Sequence, residues 1–317
     1  MINSFFKHNA MKKRYLILLL LTVFTSFSLH AQQDPHYTQY MYNMSVMNPA
    51  YAGSKENLSM GLLYRKQWVE IEDAPTTGTF FGHSPVGKNV GLGLSVISDK
   101  IGPVEENNVY GDFSYTLNLG DEVKLAMGLK AGITFHNVGL YSAIYHTLPD
   151  ANDPAFSQNV SNSYLNLGSG LFFYTNKYYL GLSVPNIMKS KHLDYKGISY
   201  GSEVSHYFLT GGYVFDVNEN LKFKPFFMLK SAFNAPSSLD LSSNFLIQNK
   251  LELGATYRLQ DSFGALVNYQ VTPNLKVGYA YDHITSDLKV TTPASHEIIL
   301  LFDVNFNKKV SRSPRYF

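Results

Sequence analysis

The chain has 317 residues, 26 Lys and Arg against 24 Asp and Glu, a formal net charge of +2, 22 Phe, 23 Tyr, 23 Gly and no Cys. So small a charge, with no basic stripe, excludes a nucleic-acid binder. The missing Cys excludes structural disulfides and a cysteine-built lipid anchor, so packing and hydrogen bonding must hold the fold.

At the start, Lys12, Lys13 and Arg14 precede an apolar run from Tyr15 to Phe27 that closes on Ser28, Leu29, His30 and Ala31. This predicts a secretory signal peptide over 1–31, with Gln32 the mature start. Its removal takes away Lys7, Lys12, Lys13 and Arg14 and no acid, leaving the exported chain near neutral. Residues 32–55 have no two-residue alternation and contain the breakers Asn48, Pro49 and Gly53. A short helix or compact piece is expected at Thr38 to Met47, and the apolar side chains around it favour a packed plug over a tail in water.

From Asn57 on, alternating segments recur. Strands are expected at Asn57 to Gln67, Thr76 to His83, Asn89 to Ser98, Asn107 to Leu119, Glu122 to Asn137, Ser163 to Thr175 and Tyr178 to Val184. They continue at Val204 to Val217, Leu221 to Phe233, Ser238 to Ile247, Lys250 to Leu259, Ser262 to Val271, Leu275 to His283 and His296 to Phe306. Tight connections (Gly120-Asp121, Asn176-Lys177, Asn249) take turns with long ones (Trp68 to Pro75, Asp99 to Glu106, Val138 to Asn162, Pro185 to Glu203, Ile284 to Ser295). Such regular taking of turns is the layout of an outer-membrane barrel with short periplasmic turns and longer external loops. The connection at Gln260 and Asp261 is the short exception.

In "VKLAMGLKAGITF" the face of Val123, Leu125, Met127, Leu129, Ala131, Ile133 and Phe135 should meet lipid, and that of Lys124, Gly128, Lys130 and Thr134 a lumen. A soluble sandwich would reverse inside and outside. Strand length favours the membrane, as do aromatics near strand ends (Tyr64, Tyr110, Tyr115, Tyr174, Tyr178, Tyr179, Tyr269) and the terminal Phe317. The fold expected is therefore all-β, a transmembrane antiparallel barrel of about fourteen strands over 56–306, with a plug-like segment at 32–55 and a periplasmic tail at 307–317. An even strand number puts both termini in the periplasm.

Motifs for chemistry are weak. His83, His136, His146, His206, His283 and His296 fall on different strands and loops, with no ligand spacing. Asp216, Asn218 and Asn220 open like a calcium loop, but Leu221 and Phe227 stand where Gly and Glu are needed. Asp150, Asn152 and Asp153 offer two carboxylates and an amide oxygen to a calcium ion at the cell surface, in the longest loop. "GLGLS" at Gly91 to Ser95 lies within a strand and no helix follows it. No catalytic residue, metal or cofactor is expected. Ser and His on neighbouring strands leave a lipid hydrolase as a third reading.

Four stretches, "QDPHYTQYMYNMSVMNPAYAGS", "LYRKQWVEIEDAPTTGTFFGHSPV", "GLGLSVISDKIGPV" and "LKAGITFHNVGL", together with "SHEIIL" in the last strand, resemble the PorP/SprF family of the type IX secretion and gliding machinery of Bacteroidetes. The resemblance implies a non-enzymatic outer-membrane barrel that assists export or surface anchoring of secreted proteins or adhesins. It implies partners among periplasmic ring and peptidoglycan-linked components. The matching blocks make Tyr37, Tyr40, Tyr42, Asn48, Pro49, Tyr51, Arg65, Trp68, Pro75, Lys100, Gly102 and Pro103 the candidate partner-binding positions. The rival reading is a passive or hydrophobic-solute channel.

Overall fold

The computed structural model describes residues 36–139, 159–188, 191–195, 198–202, 205–232, 235–286 and 294–304. The signal segment, the loop residues Asp150, Asn152 and Asp153, His146 and the tail 307–317 lie outside the described residues.

The wall begins with β1 (Leu58–Lys66), β2 (Thr76–Pro85), β3 (Val90–Ile101), β4 (Val104–Asn118), β5 (Lys124–Val138), β6 (Val160–Tyr174) and β7 (Tyr178–Val184). A separate hairpin, β8 (Lys191–Tyr195) with β9 (Ile198–Ser202), follows, then β10 (His206–Tyr213) and the short β11 (Phe215–Asn218). The chain completes the wall with β12 (Leu221–Ala232), β13 (Ala235–Ile247), β14 (Leu251–Arg258), β15 (Ser262–Thr272), β16 (Leu275–Ile284) and β17 (Ala294–Val304). Neighbours in the wall pair antiparallel, β7 skips the hairpin to pair with β10, β10 skips to β12, and β17 pairs β1 from Leu58 opposite Val304 to Lys66 opposite His296. The ring of β1–β7, β10 and β12–β17 is a closed antiparallel barrel of 14 strands, with β11 extra. Closure leaves no unpaired edge around the ring, the condition for a sheet to cross hydrocarbon.

Alternation sets the faces as expected. On β5, Met127, Leu129, Ala131, Ile133 and Phe135 are exposed on the outer surface, while Ala126, Gly128, Lys130, Thr134 and His136 are buried within. On β17, Ile298, Leu300 and Phe302 face out at 40–48% exposure, whereas Glu297 is 0% exposed. The outward side chains keep that exposure because lipid, not protein, is their medium.

Several expectations change. Tyr110, Tyr174 and Tyr179 are buried, whereas Tyr64, Tyr115, Tyr178 and Tyr269 face out. Parity decides this: Tyr110 shares its face with Asn108, Asp112 and Ser114, and a Tyr178-Tyr179 doublet cannot point both rings the same way. The Asp99 to Glu106 connection is tight, because β3 and β4 run on to pair Ile101 with Val104 around Gly102 and Pro103, Gly102 taking φ +55° at the first central position. The strand expected over Val204 to Val217 breaks at buried Val214, whose N–H bonds to the Lys177 carbonyl instead of continuing the ladder. Gln260, at φ 61°, makes the short turn between β14 and β15.

The lumen is filled from the N-terminal side of β1. One helical turn (α1, Met44–Met47) lies between two tighter turns at Tyr40–Tyr42 and Pro49–Tyr51. Asn48 and Pro49 fix the second of these: the Asn48 side chain accepts from Ala50 N–H at 3.0 Å, and Pro49 takes the first position, where no N–H is needed. Met41 and Ala50 are 0% exposed, and Tyr40 and Met44 are 1%. Each buried side chain of this kind contributes roughly 1.5–3 kcal/mol.

Candidate functional site

Two places carry the polar constellations: the contact of the N-terminal segment with the inner wall, and the rim where long connections gather.

Inside, Arg65 on β1 points into the lumen at 1% exposure. Its Nη2 lies 2.8 Å from Asp282 Oδ2 and its Nη1 3.1 Å from Glu297 Oε2. The Thr38 hydroxyl joins the group, accepting from Arg65 Nη1 at 2.7 Å and donating to Asp282 at 2.5 Å. Glu297 also takes the backbone N–H groups of Thr38 and Gln39, both at 2.8 Å. Removing three charges from water is costly, and these hydrogen bonds offset much of that cost. Arg65 therefore ties the segment to the wall.

Lower down, Lys224 pairs with Glu252 at 3.0 Å, Asn244 donates to Glu252 at 2.8 Å, and the Lys224 and Lys276 ammonium groups lie 5.4 and 4.9 Å from the Tyr42 ring centre. Lys276 and Lys224 thus bracket an aromatic face by cation–π attraction. Burial raises the Tyr42 phenol well above its ordinary range, with the Glu252 charge adding to it. Across the lumen, Asn48 Nδ2 donates to the Leu171 carbonyl at 3.0 Å. Tyr51 meets His83 and Phe172 edge to face, each at 5.2 Å. Glycines clear the path: a Cβ on Gly128 would fall 2.1 Å from Ala50 N, and one on Gly91 would fall 2.1 Å from the Ala52 carbonyl oxygen.

The segment has a direction. His36 lies among Lys230, Arg258, Arg65 and His206, and burial, with the Lys230, Arg258 and Arg65 charges adding to it, holds its imidazole well below the usual value. All four sit near the long-connection ends of their strands. Gly53 N–H instead reaches His83 Nδ1 at 3.2 Å, and Lys55 reaches Asp303 at 3.6 Å, near the short-turn rim. The two described ends, His36 and Val304, therefore lie toward opposite rims.

At the long-connection rim, Trp68 (φ 47°) donates its N–H to Ser295 Oγ at 3.2 Å, and Gly102 N–H reaches the Asp73 carbonyl at 2.9 Å. That bond joins the Trp68–Pro75 connection to the β3–β4 turn. Between them is an open groove of about 530 Å³ lined by Lys66, Glu70, Glu72, Asp73 and Lys100 among others. Lys100 and Pro103 are exposed, Trp68 and Gly102 half-buried, and Pro75 buried. The candidate residues thus divide into Tyr37, Tyr40, Tyr42, Asn48, Pro49, Tyr51 and Arg65 inside, and Trp68, Pro75, Lys100, Gly102 and Pro103 at the rim. Sequence reasoning missed Thr38, Gln39 and Asp282. For Asp282 the signal was parity, since it shares the lumen face with Ala280 and Ile284, whereas Thr38 and Gln39 lie outside any strand and carry no such signal.

Among the described residues no group of three or more His, Cys, Asp or Glu is placed to hold a metal ion.

Among solved structures, the chain is similar to the CymD monoaromatic hydrocarbon channel at 11% identity and TM-score 0.54, over 84% of this chain and 94% of that one. Further likenesses are to the P. putida toluene transporter TodX (10% identity, TM-score 0.48, 84% and 94%) and the Acinetobacter baumannii outer membrane protein Omp33 (11%, 0.46, 80% and 100%). At such identities the shared property is the outer-membrane barrel fold. No curated protein matches the chain. A family model described as type IX secretion system membrane protein PorP/SprF matches residues 29–302. A barrel closed around its own N-terminal segment, matched by that model over nearly its whole length, belongs to the PorP/SprF family of type IX secretion membrane proteins.

Proposed function

We propose that the chain is a non-enzymatic docking barrel: it sits in the outer membrane with its short turns and C-terminal side in the periplasm, and assists export or surface retention of secreted proteins. Residues 32–55 act as its plug. The observation that carries this reading is the lumen, where Gln39, Met41, Asn43 and Ala50 are each 0% exposed, the Gln39 N–H is held by Glu297 on one wall and the Asn48 amide donates to Leu171 on another. A filled lumen suits a platform better than a passage. The inward candidates then serve partners indirectly by holding the plug and the rim in shape. Direct recognition of a secreted partner falls to the groove of Trp68–Pro75 and Lys100–Pro103, where exposed Glu70, Glu72 and Asp73 suit a basic segment. Ring and peptidoglycan-linked components meet the short-turn rim.

The experiment is a mild-detergent purification followed by mass spectrometry and bilayer recording of the same sample. Secretion components or a secreted protein should be retained and conductance should be negligible. Steady open conductance with no retained partner overturns the proposal. It would favour the second reading, a channel for hydrophobic solutes, for which the shared fold with CymD speaks.

A further inference from the structure

We propose that this barrel presents its own mature N-terminus at the cell exterior. The inference rests on the proposed orientation, with short turns in the periplasm, and on the path of the plug.

The plug leaves β1 at the short-turn rim, where Lys55 and Ser59 contact Asp303. It crosses the lower lumen past Gly91, Gly128 and Leu171, and then climbs to Arg65, Asp282 and Glu297. His36, Tyr37 and Thr38 come last, below the long-connection mouth. Arg65 is one residue from the end of β1 and Arg258 is the last residue of β14, so little wall remains above them.

Cleavage after Ala31 leaves four residues, Gln32 to Pro35, ahead of His36. Fully extended, these reach at most about 14 Å. The apolar band of an outer-membrane barrel is about 25 Å tall. The new terminus therefore cannot return to the short-turn side, even along an open path, and the plug already fills the lumen below it. A partner that reads this terminus has to be outside the cell. The periplasmic ring is on the wrong side of the barrel to do so.

The chain has no Cys, so single cysteines report cleanly. Asp34→Cys is compared with Gln260→Cys, in the exposed β14–β15 turn, and with Glu219→Cys, in the exposed β11–β12 turn. Intact cells expressing each full-length variant are treated with a membrane-impermeant maleimide, before and after permeabilisation of the outer membrane. Asp34→Cys should label to the same extent before and after, as Gln260→Cys does, while Glu219→Cys labels only after. Labelling of Asp34→Cys only after permeabilisation, with the references as expected, overturns the inference and leaves the orientation standing. Exchange of the two reference patterns overturns the orientation itself, and the exterior terminus with it. A hydrophilic epitope inserted between Gln33 and Asp34, read by antibody on intact cells, decides the matter if the thiol at 34 is unreactive: detection supports the proposal, and detection only after permeabilisation overturns it.

Discussion

Arg65 and Glu297 stand directly opposite each other across the seam where the first strand meets the last, 3.1 Å apart. The Glu297 carboxylate also holds two plug N–H groups, so one side chain both closes the ring and secures its contents. Removing either partner strands buried charge. Glu297→Ala and Arg65→Ala should each cost about 3–5 kcal/mol of stability, and the double substitution should cost less than the sum. Denaturant unfolding in detergent checks both statements.

Gly128 tests whether the plug is seated as described. Its missing Cβ is the space that Pro49 and Ala50 occupy, whereas Gly78 has nothing within 4 Å of where a Cβ would be. Gly128→Val should leave the wall paired, since β-branched residues suit strands, but unseat the plug. Conductance should rise and residues 37–53 should become cleavable by protease. Gly78→Ala should change neither.

Leu129 is 64% exposed in the middle of β5, facing outward. With hydrocarbon beside it, Leu129→Arg should destabilise the folded barrel by about 2–4 kcal/mol, and Leu129→Ile should be near neutral. If water bathed that face, the Arg would be silent. Unfolding in lipid vesicles separates the two.

His36 gives the plug a pH dependence. Its folded-state affinity for a proton is depressed by burial and by Lys230, Arg258, Arg65 and His206, with Asp282 and Glu297 beyond Arg65 already engaged by it. Below about pH 6.5 an unfolded imidazole takes up a proton that the folded one refuses, so stability contributed by this group is present above that value and lost as pH falls. The loss from this residue is at most about 1.4 kcal/mol per pH unit. His36→Gln should flatten part of the acid-side fall in melting temperature.

Much of this was legible in the sequence, because a period of two is a local signal: the fourteen wall strands, the lipid face of Leu125 to Phe135 and the turns at 119–123 and 175–177 follow from residues next to one another. Girdle membership was legible only through parity, which is why Tyr64 and Tyr178 face out while Tyr110 and Tyr179 do not. The apolar content of Tyr37 to Tyr51 marked it for burial, yet nothing local sets the direction in which it runs. Arg65 was singled out as a candidate contact for another protein, but its partners are 217 and 232 residues away in the chain. Such pairings are fixed by closure of the ring, which no short window of sequence reports.

Sequence distance also governs when the plug can settle. Thr38 bonds to Glu297 across 259 residues. Its carboxylate acceptors belong to β16 and β17, the last two described strands in chain order. The earliest-made part of the lumen is thereby the latest to find its place, and the loop to be closed is among the longest this polypeptide offers. Until the final hairpin arrives, the amino-terminal piece has no lock to enter, and whatever escorts the nascent barrel must keep that piece from wandering.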